Sequence, residues 1–170
     1  MKFTPDLILD SFDALTVDLL KEKGIRYLIL DVDNTLIPYE EDVPRPAVLA
    51  WLEELKAADI AVSFVTNNHR PRLLKFNEAL KYPAFANSCK PFRRNMKKAM
   101  RAMGADREHT ANMGDQIFTD TLAGRFLGIY TVLVPPIKDK RDPFTRFKRL
   151  LERPIKRAYY KKKEKKNNEK

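Results

Sequence analysis

The sequence predicts a three-layer α/β protein, a parallel sheet covered on both faces by helices, and three observations point to it. Short apolar runs alternate along the chain with stretches of helical periodicity. The runs are continuously apolar, as strands buried on both faces require. Three of them end in polar residues, which a parallel sheet would gather at one edge, where α/β proteins bind ligands. With 170 residues, 44% of them hydrophobic, the chain suits one compact domain with residues left for a tail.

Residues 11–23 read as a helix, with Ser11 as N-cap and Gly24 as the stop. Ahead of it, Leu7-Ile8-Leu9 is too short for a signal peptide, and no apolar run is long enough to cross a bilayer, so a cytoplasmic protein is expected. Tyr27-Leu28-Ile29-Leu30 is a strand. Residues 46–58 form a helix with Val48, Leu49, Leu52 and Leu55 on one face, and residues 60–65 form a second strand. Helices follow at 70–80 and 93–103, the latter closed by Gly104. Residues 110–113 are a strand whose boundary the polar Asn112 leaves open. A helix at 117–127 leads to a strand at 129–134, stopped by Pro135-Pro136. The single cysteine, Cys89, rules out an internal disulfide framework or a cysteine-built metal site, and a small, at least half-buried residue is expected there.

The net charge of +10 is concentrated in one place. Residues 138–170 hold 15 Lys/Arg and 5 Asp/Glu, leaving 18 of each sign in the rest of the chain. The expected organisation is a domain at 1–137 and a basic tail at 138–170. In the tail Phe144, Phe147, Leu150, Leu151, Ile155 and Tyr159 recur at near-helical spacing among Arg146, Lys148, Arg149, Lys156 and Arg157. That pattern suits a basic amphipathic helix on an anionic membrane, kinked or restarted at Pro154. A nucleic-acid partner, an apolar face packed on the body with a disordered end from 161, or a solvated tail are the other readings.

The polar strand ends carry an inventory suited to phosphoryl transfer. They are Asp31-Val32-Asp33-Asn34-Thr35, Thr66-Asn67-Asn68 and Gly114-Asp115-Gln116 with Asp120, and Lys90 lies between the second and third sets. Several carboxylates in one cleft call for a cation, and oxygen ligands favour Mg²⁺. His69 and His109 are single and separated, which excludes a histidine-built zinc site. A metal-bound carboxylate can attack phosphorus, and a carboxylate two residues on can protonate the leaving oxygen and then activate water. Thr66, Asn67 and Lys90 are the candidate phosphate-binding groups.

Asp31-Val32-Asp33-Asn34-Thr35, Thr66, Lys90 and Gly114-Asp115-Gln116-Ile117-Phe118-Thr119-Asp120 resemble, in order, the four signature motifs of the haloacid dehalogenase (HAD) superfamily. With Pro5-Asp6-Leu7 and Val65-Thr66-Asn67-Asn68 they are similar to the YqeG-like subfamily IIIA phosphatases of Gram-positive bacteria, relatives of mitochondrial phosphatidylglycerophosphate phosphatases. The resemblance covers roughly residues 5–137. It implies a Rossmann-like HAD fold and a Mg²⁺-dependent phosphatase. Asp31 would be nucleophile and metal ligand, and Asp33 acid/base with its backbone carbonyl on the metal. Thr66 would bond the phosphoryl group, Lys90 offset charge, and Asp115 ligate the metal. Asp120 would orient metal-bound water or Lys90 from behind the ligands. An aspartate at position 33 favours hydrolysis, since the transport-ATPase branch usually has threonine there. Departures are Asn112 in a strand that is usually apolar, Thr66 in place of the common serine, and Phe126 where a more polar residue is expected.

Superfamily members insert caps between the first and second motifs and between the second and third. Here 35 positions separate Asp31 from Thr66, and 24 separate Thr66 from Lys90. A helix and a strand fill most of the first interval, leaving residues 36–45 as a small flap, so a capless enzyme is expected. An open cleft suits a phosphate carried on something large, a membrane lipid, protein or nucleic acid, unless an oligomer supplies the lid; with the resemblance and the basic tail, phosphatidylglycerophosphate leads. Alternatives are a nucleotide or phosphoprotein phosphatase, or a nucleic-acid or ribosome-binding protein with incidental hydrolysis. Arg70, Arg72, Arg93 and Arg94 serve either an anionic substrate or the surface, and His69 is expected to be a solvated loop residue.

Overall fold

In the computed structural model, which describes residues 3–138 and 143–168 (without the side chains of 143–149 and 165–168), strands and helices alternate throughout. The strands are β1 (Leu7–Ile8), β2 (Tyr27–Leu30), β3 (Ala61–Val65), β4 (Ala84–Phe85), β5 (Thr110–Gly114) and β6 (Tyr130–Leu133). The helices are α1 (Val17–Glu22), α2 (Pro46–Ala57), α3 (Arg70–Asn77), α4 (Arg94–Met103), α5 (Leu122–Leu127), preceded by a π-helical turn Ile117–Thr121, and α6 (Pro143–Asn168). All pairings are parallel, in the order β1-β6-β5-β2-β3-β4. Leu30 lies beside both Phe64 and Met113, so β2, β3 and β5 end side by side at the centre of the sheet.

The period of two in a strand assigns its side chains to two cores. Leu28 and Leu30 point to one face with Val62, Phe64, Ala111 and Met113, under Leu20 of α1, Leu52 and Leu55 of α2 and Phe76 of α3. Ile29 and Val65 point to the other, under Met96 and Met100 of α4 and Ala123 and Leu127 of α5. Fully burying one such leucine contributes about 2 kcal/mol, so the two cores between them fix the sheet edge on which the polar residues stand.

The predicted strands and helices are present, with local differences. The first helix starts at Val17, capped by Thr16 Oγ1 accepting from Leu19 N, because the Ser11 hydroxyl is spent on Asp13. Leu7–Ile8 is a strand: Asp6 Oδ2 accepts from Thr131 N and Oγ1, and Arg125 pairs with Asp6 at 2.8 Å. Those contacts pin the Pro5-Asp6-Leu7 phrase to β6. Asn112 lies well inside β5, which extends to Gly114. Cys89 is exposed rather than half-buried. The intervals between the first three motifs hold a loop, α2, β3, α3 and β4, with no cap domain.

The C-terminal helix runs through Pro154 as one element. Proline has no N–H for the carbonyl four residues back, but Leu150 there is 54% exposed, so water can serve it. The face turned to the body is Glu152, Ile155, Lys156 and Tyr159, whereas Leu150 and Leu151 are exposed. Ile8 N donates to Tyr159 Oη at 3.2 Å. The apolar stripe expected from the sequence is therefore split between two sides of the helix, and the side chains of Phe144 and Phe147 lie outside the described residues. Among the described residues no helix is long and apolar enough to cross a membrane.

Candidate active site

Asp31 immediately follows β2, and its N–H continues the ladder to Met113 O at 3.0 Å. Its Oδ1 accepts from Lys90 Nζ at 2.7 Å and its Oδ2 from Thr35 Oγ1 at 3.1 Å. Lys90 Nζ also donates to Asp120 Oδ1 at 2.6 Å and to Val65 O at 2.9 Å, so all three of its protons are placed. The lysine is set by the loop after β4, where its own N–H donates to Asn67 Oδ1 at 2.7 Å.

Asp115 immediately follows β5 and is buried. Carboxylate oxygens of Asp31, Asp115 and Asp120 all lie within 4.8 Å of one another. Asp120 comes this close because of two glycines. A Cβ on Gly114 would meet Asp120 Cγ at 2.2 Å, and a Cβ on Gly124 would meet Asn112 Oδ1 at 2.0 Å. Asn112, the polar residue in a strand expected to be apolar, donates its Nδ2 to Asp120 O at 3.0 Å. Its polarity is thus used to fix the turn that carries Asp120.

Three buried carboxylates face one ammonium. Burial pushes Asp31 up to about 8; Lys90 opposes the shift, and the charges of Asp120 and Asp115 add to it. Burial works against the Lys90 ammonium, but Asp120 and Asp31 outweigh it and hold Lys90 above the ordinary lysine value. The donors are all oxygen and negative charge is in excess, so this cluster fits a hard divalent cation.

Asp33 faces away from the cluster. Its Oδ2 accepts from Thr66 Oγ1 at 2.9 Å and its Oδ1 from Arg72 Nε at 2.5 Å. Arg72 is 10% exposed and also donates to Asp42 Oδ1 at 2.6 Å and Pro38 O at 3.1 Å, tying the flap to Asp33. The Thr66 hydroxyl, expected on the phosphoryl group, is here engaged by Asp33 and accepts from Asn68 N at 3.0 Å. A cleft of about 300 Å³ opens over these groups, walled further by Tyr39, Asn67, Asn68, Gln116 and Thr119. Burial first, then Asp115, Asp31, Asp33 and Asp120, raise the Tyr39 phenol above its ordinary value.

The cleft therefore brings together Asp31, Asp33, Thr66, Asn67, Lys90 and Asp120, with Asp115 beneath them in the acidic cluster. Among the further residues weighed from sequence, Arg72 joins the site through Asp33, whereas Arg70 and Arg94 are exposed. His69 caps α3, its Nδ1 accepting from Arg72 N, and Arg93 donates to Phe126 O. The spacing of motifs gave no sign of Tyr39 or of the buried pairing of Arg72. Asn34 was also missed as an anchor. In the left-handed region at φ 65°, it exchanges bonds with Lys138 (Nδ2 to O 2.6 Å; Lys138 N to Oδ1 3.0 Å) and accepts from Ile137 N at 3.0 Å.

Comparison with known proteins shows the family and the fold. Residues 88–146 match the HAD-hydrolase-like family model. The chain is 35% identical over 153 residues to the protein named "Probable phosphatase YqeG" of Bacillus subtilis, covering 90% of this chain and 89% of that protein. In fold it resembles the cobalt-bound deoxy-D-mannose-octulosonate 8-phosphate phosphatase of Haemophilus influenzae at a TM-score of 0.54 and 20% identity, over 67% of this chain and 70% of that one. It also resembles CbbY of Rhodobacter sphaeroides in complex with phosphate, at 0.55 and 15%, over 71% and 90%.

Proposed function

The chain belongs to the haloacid dehalogenase phosphatases, in their YqeG-like branch, and on that premise we propose that it hydrolyses phosphomonoesters with Mg²⁺ through a phosphoryl group carried on Asp31. The observation that carries this reading is the buried Asp31 carboxylate at a central strand end, gripped by Lys90 beside two further carboxylates. Asp31 attacks phosphorus, the bond from phosphorus to the leaving oxygen breaks, and Asp33 gives that oxygen its proton. Asp33 then takes a proton from the water that attacks the same phosphorus, phosphate departs, and Asp31 returns as a carboxylate. Thr66, Asn67 and Lys90 line the cleft where the phosphoryl oxygens would sit. The carboxylates of Asp31 and Asp115 and the main-chain carbonyl of Asp33 would hold Mg²⁺, with Asp120 behind them. The ion supplies charge neutralisation for the phosphoryl group.

The favoured substrate is a phosphate on a membrane lipid, phosphatidylglycerophosphate first. Among the described residues no cap covers the cleft, and α6 offers exposed Leu150, Leu151, Arg153, Arg157 and Lys161 to Lys163 to an anionic surface. The enzyme would then work peripherally on the inner face of the membrane. Phosphate release with Mg²⁺ from phosphatidylglycerophosphate in anionic liposomes, beside a soluble phosphomonoester panel, tests both parts. Lipid hydrolysis by the wild type and none by Asp31→Asn is the expected result. Activity confined to soluble substrates discards the lipid, and wild-type turnover in Asp31→Asn removes the nucleophile.

A further inference from the structure

Of the two acidic side chains on the otherwise basic C-terminal helix, Glu164 is exposed and Glu152 is buried. Glu152 is 1% exposed, and its Oε1 accepts from Ile117 N at 2.8 Å across 35 residues of sequence. Lys156, one turn on, lies 3.7 Å from its other oxygen. Ile117 opens the π-helical turn between the two acidic residues of the last motif, Asp115 and Asp120. An N–H in the first turn of a helix has no partner within it, and Ile117 is fully buried, out of reach of water. Burying a carboxylate merely to dock a helix is costly, since an apolar side chain would do it more cheaply. A carboxylate is favoured where one main-chain donor must be held in a fixed direction.

Neighbouring bonds of the same turn reach the acidic cluster. Gln116 N donates to Asp120 Oδ2 at 3.3 Å, Asp120 N to Gln116 O at 3.0 Å, and Asn112 Nδ2 to Asp120 O at 3.0 Å. Glu152 therefore closes the open end of a network whose other end is the Asp31, Asp115 and Asp120 cluster. Lys138, between β6 and α6, is tied to the loop of Asp31 and Asp33 through Asn34.

We propose that Glu152 is a positioning residue for the divalent-cation site: by holding Ile117 N, the C-terminal helix sets the turn that presents Asp115 and Asp120. This rests on the cation reading of the acidic cluster given above. Partners of ligand-bearing groups of this kind typically govern metal affinity by 10- to 100-fold.

The test is calorimetric titration of Mg²⁺ into the full chain, with amide hydrogen exchange over residues 114–121 measured without metal. Glu152→Leu removes the acceptor and is expected to weaken Mg²⁺ binding about tenfold or more and to speed exchange across the turn. Glu152→Gln keeps an acceptor oxygen at the same reach and should stay within about threefold of wild type, whereas Glu152→Asp, one methylene short, should be weaker than Gln. Glu152→Leu that melts cooperatively with wild-type Mg²⁺ affinity and exchange overturns the proposal. If Glu152→Leu does not fold, the Asp and Gln pair decides, and Asp binding Mg²⁺ as well as Gln overturns it. Absence of Mg²⁺ binding by the wild type would remove the cation reading and this proposal together. Binding by the wild type that Glu152 variants leave unchanged would remove this proposal alone.

Discussion

Replacing Lys90 by methionine removes the single ammonium set between Asp31 and Asp120, whose oxygens lie 2.7 and 2.6 Å from it. Methionine fills a similar volume, so the loss is mainly of charge. Removing one partner of a buried pair costs about 3–5 kcal/mol, and the low end applies here because the site adjoins an open cleft. For a domain of this size each kcal/mol moves the melting temperature by about 2–4 °C, so Lys90→Met should melt about 6–12 °C below wild type at pH 8 in EDTA. The pH dependence has a definite sign. Burial already pushes Asp31 up to about 8, far above its unfolded value, and losing Lys90, whose charge holds it down, raises it further. The folded state then binds protons that the unfolded state has released, so stability falls as pH rises from about 4 toward 8. The defect should therefore be smaller at pH 5.5 than at pH 8, and saturating Mg²⁺ should also reduce it by replacing the lost positive charge. Thermal melting monitored by circular dichroism at the two pH values, with and without Mg²⁺, reads all of this. A Lys90→Met protein melting within about 2 °C of wild type at pH 8 in EDTA would refute the argument, as would a defect equal at both pH values.

The same linkage applies to the wild type: Mg²⁺ should raise its melting temperature more at pH 8 than at pH 5.5, because at low pH a proton on Asp31 competes for the site. An equal or larger shift at pH 5.5 would count against a cation at Asp31. Arg72→Ala frees the Asp33 carboxylate and the flap together, and should lower kcat about 10- to 100-fold with little change in KM for a small phosphomonoester. Arg72→Lys should rescue only in part, since one ammonium cannot reproduce contacts made by three guanidinium nitrogens; full rescue in steady-state kinetics would show that charge alone matters. Gly114→Ala places a methyl 2.2 Å from Asp120 Cγ and should cost about 100-fold in activity together with weakened Mg²⁺ binding; near-wild-type activity would mean that Asp120 can move without consequence.

Much of this protein was legible in the chain because the relevant physics is local. Apolar runs of four to six residues bounded by turn signals specify strands, and β2, β3, β5 and β6 stand where the runs predicted. Once parallel strands are granted, residues that follow strand ends share an edge by geometry, and Asp31, Thr66 and Asp115 do so without any knowledge of packing. The first helix was misplaced for a reason equally local: Ser11 and Thr16 are both good caps, and only the Ser11–Asp13 contact removes the first from competition.

The order of apolar runs and polar ends dictates which residues meet at the sheet edge; packing between distant elements selects the atom each of them faces. The direction of Asp33 toward Thr66 and Arg72, rather than toward the acidic cluster, depends on contacts across 33 and 39 residues. The split apolar stripe of α6, the burial of Glu152 under Ile117 and the clasp of Asn34 on Lys138 depend on contacts across 35 and 104 residues. Periodicity reports only which side of an element is apolar. The partner of a buried polar atom is chosen by the packing of elements far apart in the chain, and that choice makes a set of acidic strand ends into a site with one ammonium, three clustered carboxylates and a fourth held apart.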